Sequence, residues 1–249
     1  MPDHEYFAHE YKGTFLMNRR VSKNNTSRDI VLHMIIAAVS LFVNGFGVYL
    51  TIHANIGAGP WDVLNIGISK TFGILYGTAS IVVSLSILGI DILLKEAVGV
   101  AMIIDALVVG KAVDFFQYIK IIPQPHTMPE SLLTMFCGLV IMGYTQYFYM
   151  NAALGCGPRD TLLVGLKRRV KRVPIGVVSI ALLGTATLIG YLLGGPVGIG
   201  TIICAFITGP IMQFAFRTVR FDPTAVSHQR ILASGHIIMA EIKDGKNHI

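Results

Sequence analysis

Three ionisable side chains, Asp105, Lys111 and Asp114, lie inside one long apolar run spanning residues 97–119. Charge within a membrane span is costly, so such residues mark ion or proton pathways unless they are paired. Lys111 and Asp114 are three apart and would share a helix face, as an ion pair that holds the helix to its neighbours or as part of a site. Asp105 has no such neighbour. It lies roughly 12 Å along the helix from Ala97 at 1.5 Å per residue, where a carboxylate needs a partner, water or a proton. It is the first candidate for proton or cation coupling. Asp91, by contrast, has Lys95 four residues on, which reads as an ordinary helical ion pair near the end of its run.

A second group sits in a repeated motif. Residues 57–68 read GAGPWDVLNIGI and residues 155–166 read GCGPRDTLLVGL, an offset of 98. Gly57, Gly59, Pro60 and Asp62 recur as Gly155, Gly157, Pro158 and Asp160, with Trp61 and Arg159 at one shared position. The glycines allow a sharp turn, the proline suits the first helical position, and the aspartate complements the positive end of the helix dipole. That chemistry suffices to restart a helix at a membrane edge. The functional reading is that two broken helices dip into the membrane and bring their N-termini together at a central site. Apolar side chains in the first copy (Val63, Leu64, Ile66, Ile68) and the second (Leu162, Leu163, Val164, Leu166) favour some entry. Trp61 is expected as an interface anchor. A third polar group, Tyr144, Gln146, Tyr147 and Asn151, interrupts a later apolar run. Tyr144, Tyr147 and Asn151 fall at i, i+3 and i+7, so they share a face expected to look inward, lining a cavity or joining helices.

These residues require long apolar elements to position them. Of the 249 residues 53% are hydrophobic and 14% charged, against about 25% charged in soluble domains. A soluble α/β domain would need short buried strands alternating with charged helices, and that pattern is absent. Six apolar segments, 30–53, 77–94, 97–119, 132–151, 175–193 and 197–216, each approach the roughly 20 residues of a bilayer span. The 1–29 segment is polar and basic and is not expected to be a cleaved signal. Cys137, Cys156 and Cys204 show no metal spacing and read as small packing residues.

The repeat continues past the motif at an offset of 99, where Gly77, Gly110 and Phe115 meet Gly176, Gly209 and Phe214. Asp105, Lys111 and Asp114 meet Cys204, Pro210 and Gln213, so the intramembrane charges belong to one half only. Each half contains three spans, and an odd number of crossings inverts the second copy. Charge agrees with counting: the 57–76 loop holds Lys70 alone, whereas the 155–174 loop holds Arg159, Lys167, Arg168, Arg169, Lys171 and Arg172. Positive residues favour the cytoplasmic side, and Arg19, Arg20, Lys23 and Arg28 precede the first span.

The predicted architecture is therefore an all-α polytopic membrane protein of six transmembrane helices in two inverted three-span repeats. Each repeat carries a Gly-x-Gly-Pro-x-Asp loop and a short helix that is either re-entrant or interfacial. Its parts are a cytoplasmic segment 1–29, a first repeat 30–119, an extracytoplasmic linker 120–131, a second repeat 132–220 and a cytoplasmic tail 221–249. The basic run Lys167, Arg168, Arg169, Lys171 and Arg172 reads as an interfacial helix meeting anionic lipid, not nucleic acid.

The stretch 57–64, with Gly99-Val100 and the repeat at 155–200, resembles the YczE/YyaS/YitT family of bacterial integral membrane proteins, over about residues 30–220 and in its YczE-like branch. Gly59-Pro60-Trp61-Asp62 is the specific part. The resemblance implies a small multi-pass bacterial plasma-membrane protein. Where such proteins often carry Gly-Thr, this chain has Gly200-Thr201 in the second copy but Ala101-Met102 in the first.

No metal-spaced histidine pair, nucleotide loop or nucleophile elbow points to an enzyme, and no cofactor or metal is expected. The leading expectation is a transporter or solute-binding membrane protein for a small solute, with proton or cation coupling. The alternative is a membrane scaffold or regulator with a cytoplasmic partner. Homo-oligomerisation is compatible with either.

Overall fold

A computed structural model describes residues 27–96, 100–151, 157–170 and 172–219. The terminal segments, Gly155, Lys171 and the side chain of Asn151 lie outside the described residues. Eight helices occupy the described chain: α1 Ser27–His53, α2 Pro60–Phe72, α3 Tyr76–Leu93, α4 Val100–Ile119, α5 Met128–Asn151, α6 Pro158–Arg169, α7 Ile175–Leu192 and α8 Ile199–Thr218. Among the described residues α1, α3, α5, α7 and α8 are long and apolar enough to cross a membrane. At 20 residues α4 equals α8 and exceeds α3 and α7 in length, but it carries Asp105, Lys111 and Asp114.

The two motif copies build the same local structure. Gly59 (φ −58°, ψ 153°) and Gly157 (φ −63°, ψ 157°) precede helices that open on Pro60 and Pro158, with Asp62 and Asp160 in the first turn. Proline there forfeits an N–H that would have no partner in any case. The helices span 13 and 12 residues, too short to cross a bilayer.

Packing interleaves the halves. Long helices α1 and α5 form the central pair, with α4 against α1 and α8 against α5. The short helix of each half rests on a long helix of the other: α2 on α7, and α6 on α3. Glycines set the first of these approaches. A methyl built on Gly67 would lie 2.5 Å from the Gly190 carbonyl oxygen, and one on Gly190 would lie 2.5 Å from Leu64 N.

One pairing is asymmetric. Helices α3 and α4 touch through Gly77 and Gly110, where a methyl on Gly110 would be 2.7 Å from the Gly77 carbonyl. The Gly77 N–H also donates to Asp114 Oδ1 at 2.7 Å. Their counterparts Gly176 and Gly209 have nothing within 4 Å of an added methyl. Thus the first half is clasped at Gly77 where the second is not, and Gln213 stands in the place of Asp114.

This corrects the expected Lys111–Asp114 ion pair. Lys111 is exposed, the ion pairs among the described residues do not include it, and Asp114 serves a backbone N–H instead. Asp114→Ala is expected to destabilise the protein by about 1.5–3 kcal/mol, the range for a hydrogen bond to a charged group. Asp114→Asn, which retains an acceptor oxygen, should cost less. Thermal unfolding of the detergent-solubilised protein distinguishes the two.

Asp91 does not pair with Lys95 either. Lys95 lies past the helix end at φ 57° and is exposed, while Asp91 is fully buried with neither carboxylate oxygen hydrogen-bonded. The ion pairs at that end are formed by Glu96, whose Oε2 lies 2.8 Å from Arg168 Nη1 and whose Oε1 lies 3.7 Å from Arg169 Nη1.

Candidate functional site

Both motif loops reach one internal cavity of about 260 Å³. Trp61 and Asp62 enter it from the start of α2, and Gly157, Arg159 and Asp160 from the start of α6. Asp105 and Val109 come from α4, Tyr76, Ser80 and Ser84 from α3, and Asn44 and Val48 from α1. Met142, Gly143, Gln146 and Tyr149 of α5 and Thr208 and Met212 of α8 complete the wall. A wider pocket of about 550 Å³ lies at the far end of α1, lined by His53, Gln117, Lys120 and Gln124 among others. It holds no carboxylate and no motif residue.

Three polar residues of the cavity wall, Asn44, Asp62 and Tyr76, are held by identifiable bonds. Asn65 Nδ2 donates to the Tyr76 hydroxyl at 3.3 Å, and that hydroxyl donates to Asp62 Oδ1 at 2.7 Å. This buried relay fixes Asp62 as an acceptor. Asn44 Nδ2 donates to Thr145 Oγ1 at 2.9 Å, which orients its carboxamide. The Arg159 guanidinium lies 5.4 Å from the centroid of the Trp61 ring, within the range of a cation–π contact. The two residues that occupy equivalent places in the repeat therefore meet across the cavity. Trp61 is a cavity wall and a platform for a cation, not the interface anchor that its amphipathic ring suggested.

Of the residues singled out by sequence, the structure brings Trp61, Asp62, Asp105, Gly157, Arg159 and Asp160 together around this space. Pro60 and Pro158 start the helices that carry them. Gly57 lies outside the lining. Its backbone (φ 113°) backs onto the start of α8, where an added methyl would be 2.8 Å from both Gly198 N and Thr201 Oγ1. There the Gly200 N–H donates to the Ile56 carbonyl at 2.8 Å, and the Gly198 N–H donates to Thr201 Oγ1 at 3.2 Å. Gly200-Thr201 thus seats the first loop and caps α8 without lining the cavity. Tyr144 and Tyr147 are half-buried and not part of the lining; the Tyr147 ring packs on Phe148 at 4.9 Å. The inward face of α5 carries Gln146 and Tyr149 instead. Gln146 was legible as a poor residue for lipid, whereas Tyr149 gave no separate signal.

A helical body with several membrane-length apolar helices around a polar, charged cavity defines a multi-pass membrane protein. The chain belongs to the family of unknown function DUF6198, whose model matches residues 31–217. It is 30% identical over 194 residues to the uncharacterized membrane protein YczE of Bacillus subtilis, covering 76% of this chain and 87% of that one. An uncharacterized protein of Haemophilus influenzae is 30% identical over 175 residues, 70% of this chain and 79% of its own. The uncharacterized protein YyaS of B. subtilis is 22% identical over 177 residues, 70% of this chain and 88% of its own. No solved structure matches.

Proposed function

We propose that this protein transports a small solute across the bacterial plasma membrane by alternating exposure of the central cavity. The observation that carries the reading is that both motif helices, from opposite halves of the chain, start at one cavity that also holds Asp105. A scaffold has no need of such a space, since polar groups within a bundle cost stability unless bonded. In this reading α4 is the sixth span. Two of its three charges are accommodated inside the protein, Asp105 on the cavity and Asp114 on α3.

The halves are inverted, with both termini cytoplasmic, and α2 and α6 are re-entrant from opposite faces. Sites between inverted repeats change sides when one repeat rocks against the other. The clasp at Gly77 and its absence at Gly176 supply two unequal halves for such a motion. Asp105 is the group that couples movement to a proton or cation. The basic run from Lys167 rests on anionic lipid headgroups, although Arg168 and Arg169 also hold Glu96.

The test is cysteine accessibility in a background with Cys137, Cys156 and Cys204 replaced. Ser84→Cys on the cavity wall is expected to react with an impermeant maleimide from either face of sealed vesicles. Reaction from neither face would favour the scaffold. Lys70→Cys and Lys167→Cys should each react from one face only, and from opposite faces. Labelling of both from one side would refute inversion.

A further inference from the structure

The cavity is unbalanced in charge, and the imbalance identifies what it accepts. Asp62, Asp105 and Asp160 share it with a single internal cation, Arg159. Two of the carboxylates crowd one point: a methyl built on Gly157 would lie 3.4 Å from Asp105 Oδ2 and 3.7 Å from Asp160 Oδ2. The ion pairs among the described residues include none of the three aspartates. Arg159 is near enough for its charge to be felt by all of them, yet its guanidinium lies over Trp61 instead. Asp62 is buried, Asp105 half-buried and Asp160 exposed, and carboxylates gathered on one cavity favour compensating positive charge. One arginine supplies a single unit of it.

The seating of Arg159 is a second and independent indication. It shows that the Trp61 wall accepts a cationic group on its π face. An entering ammonium would meet carboxylates on one side and this ring on the other. An entering anion would face three carboxylates for one guanidinium. The volume of about 260 Å³ leaves room for fewer than about nine water-sized groups, taking roughly 30 Å³ for each.

We propose that the solute is a small organic cation whose ammonium or guanidinium group is held between Asp105 and Asp160 beside Trp61. This rests on reading the same cavity as a solute site. Trp61 is the only tryptophan in the chain, so its fluorescence reports on that cavity alone. The full-length protein in detergent is titrated at constant ionic strength with n-butylammonium, n-butyrate and n-butanol, three probes of similar shape and different charge.

Butylammonium is expected to change Trp61 emission saturably, with a half-saturation at least about tenfold lower than the other probes, a difference of 1.4 kcal/mol. D105N and D160N should each raise that value about tenfold, while Glu96→Gln, at the ion pair with Arg168 outside the cavity lining, leaves it unchanged. Circular dichroism and gel filtration establish that each variant is folded. Saturation by butyrate or butanol but not butylammonium would overturn the cation class and leave the solute cavity standing. A butylammonium response insensitive to both aspartate variants would overturn the assigned carboxylates. No saturable response to any probe would overturn both the class and the cavity reading.

Discussion

Gly190→Leu is expected to abolish recovery of monodisperse protein from mild detergent, and Gly190→Ala to lower its thermal stability markedly. Gly190 lies on α7 directly against the backbone of α2. Even a methyl there would fall 2.5 Å from Leu64 N and from Val63 C, and 2.6 Å from Leu64 Cα. Those atoms belong to the main chain, so no side-chain rotation relieves the clash. Overpacking of a fitted interior costs about 1–3 kcal/mol when side chains can adjust, and here a helix must move. The displaced helix is the one whose first turn carries Trp61 and Asp62, so the cavity goes with it. Gly184 on the same helix is the control. Nothing lies within 4 Å of a methyl at that position. Gly184→Ala should be neutral or stabilising by up to about 1 kcal/mol, through helix propensity. Gel filtration and thermal unfolding of the three variants decide the matter; equal stability of Gly190→Ala and Gly184→Ala would contradict the close approach of α2 and α7.

That contact also marks where sequence reading stops. The motif copies were legible because their chemistry is local: glycine before, proline first and aspartate in the opening turn specify a helix start wherever they occur. Their near-identical backbone angles follow from this. Which helix each short element rests on is not local. Gly67 and Gly190 are ordinary residues until α2 lies across α7, and nothing in the order of the chain says that each half lends its short helix to the other.

The faces of the long helices were hidden for a related reason. A helix apolar on all sides has no stripe to reveal its inward side. Hence Tyr144 and Tyr147 were as good a choice as Gln146 and Tyr149, and packing chose the second pair. The charges show the same limit. Spacing permits Lys111 to reach Asp114, but the buried N–H of Gly77 in the first turn of α3 claims the carboxylate. Likewise Trp61 and Arg159 could be aligned as equivalents from the repeat, yet their meeting across the cavity needs the two halves in place.

Asp105→Asn is expected to leave the protein folded and to remove proton- or cation-driven flux almost completely. The substitution keeps the side chain's size and its hydrogen-bonding ability while deleting its charge, so packing on the half-buried wall of α4 changes little. What it deletes is a carboxylate that lines the cavity next to Asp160 at Gly157. If Asp105 takes up and releases the coupling ion as the cavity changes sides, an amide cannot replace it. Moving charge through the low-dielectric interior without a neutralising partner costs several kcal/mol, and each 1.4 kcal/mol added to a barrier slows passage about tenfold. Asp105→Glu restores the charge at altered reach and should recover part of the flux. The measurement uses proteoliposomes with an imposed pH or salt gradient and a solute found by the Trp61 titration. Gly57→Ala, at the loop seat outside the cavity, is a poor control because its positive φ would be strained. Glu96→Gln, outside the cavity lining, serves instead. Flux in Asp105→Asn equal to that of the unaltered protein, with the gradient still required, would assign coupling to Asp62 or Asp160 and reduce Asp105 to part of the wall.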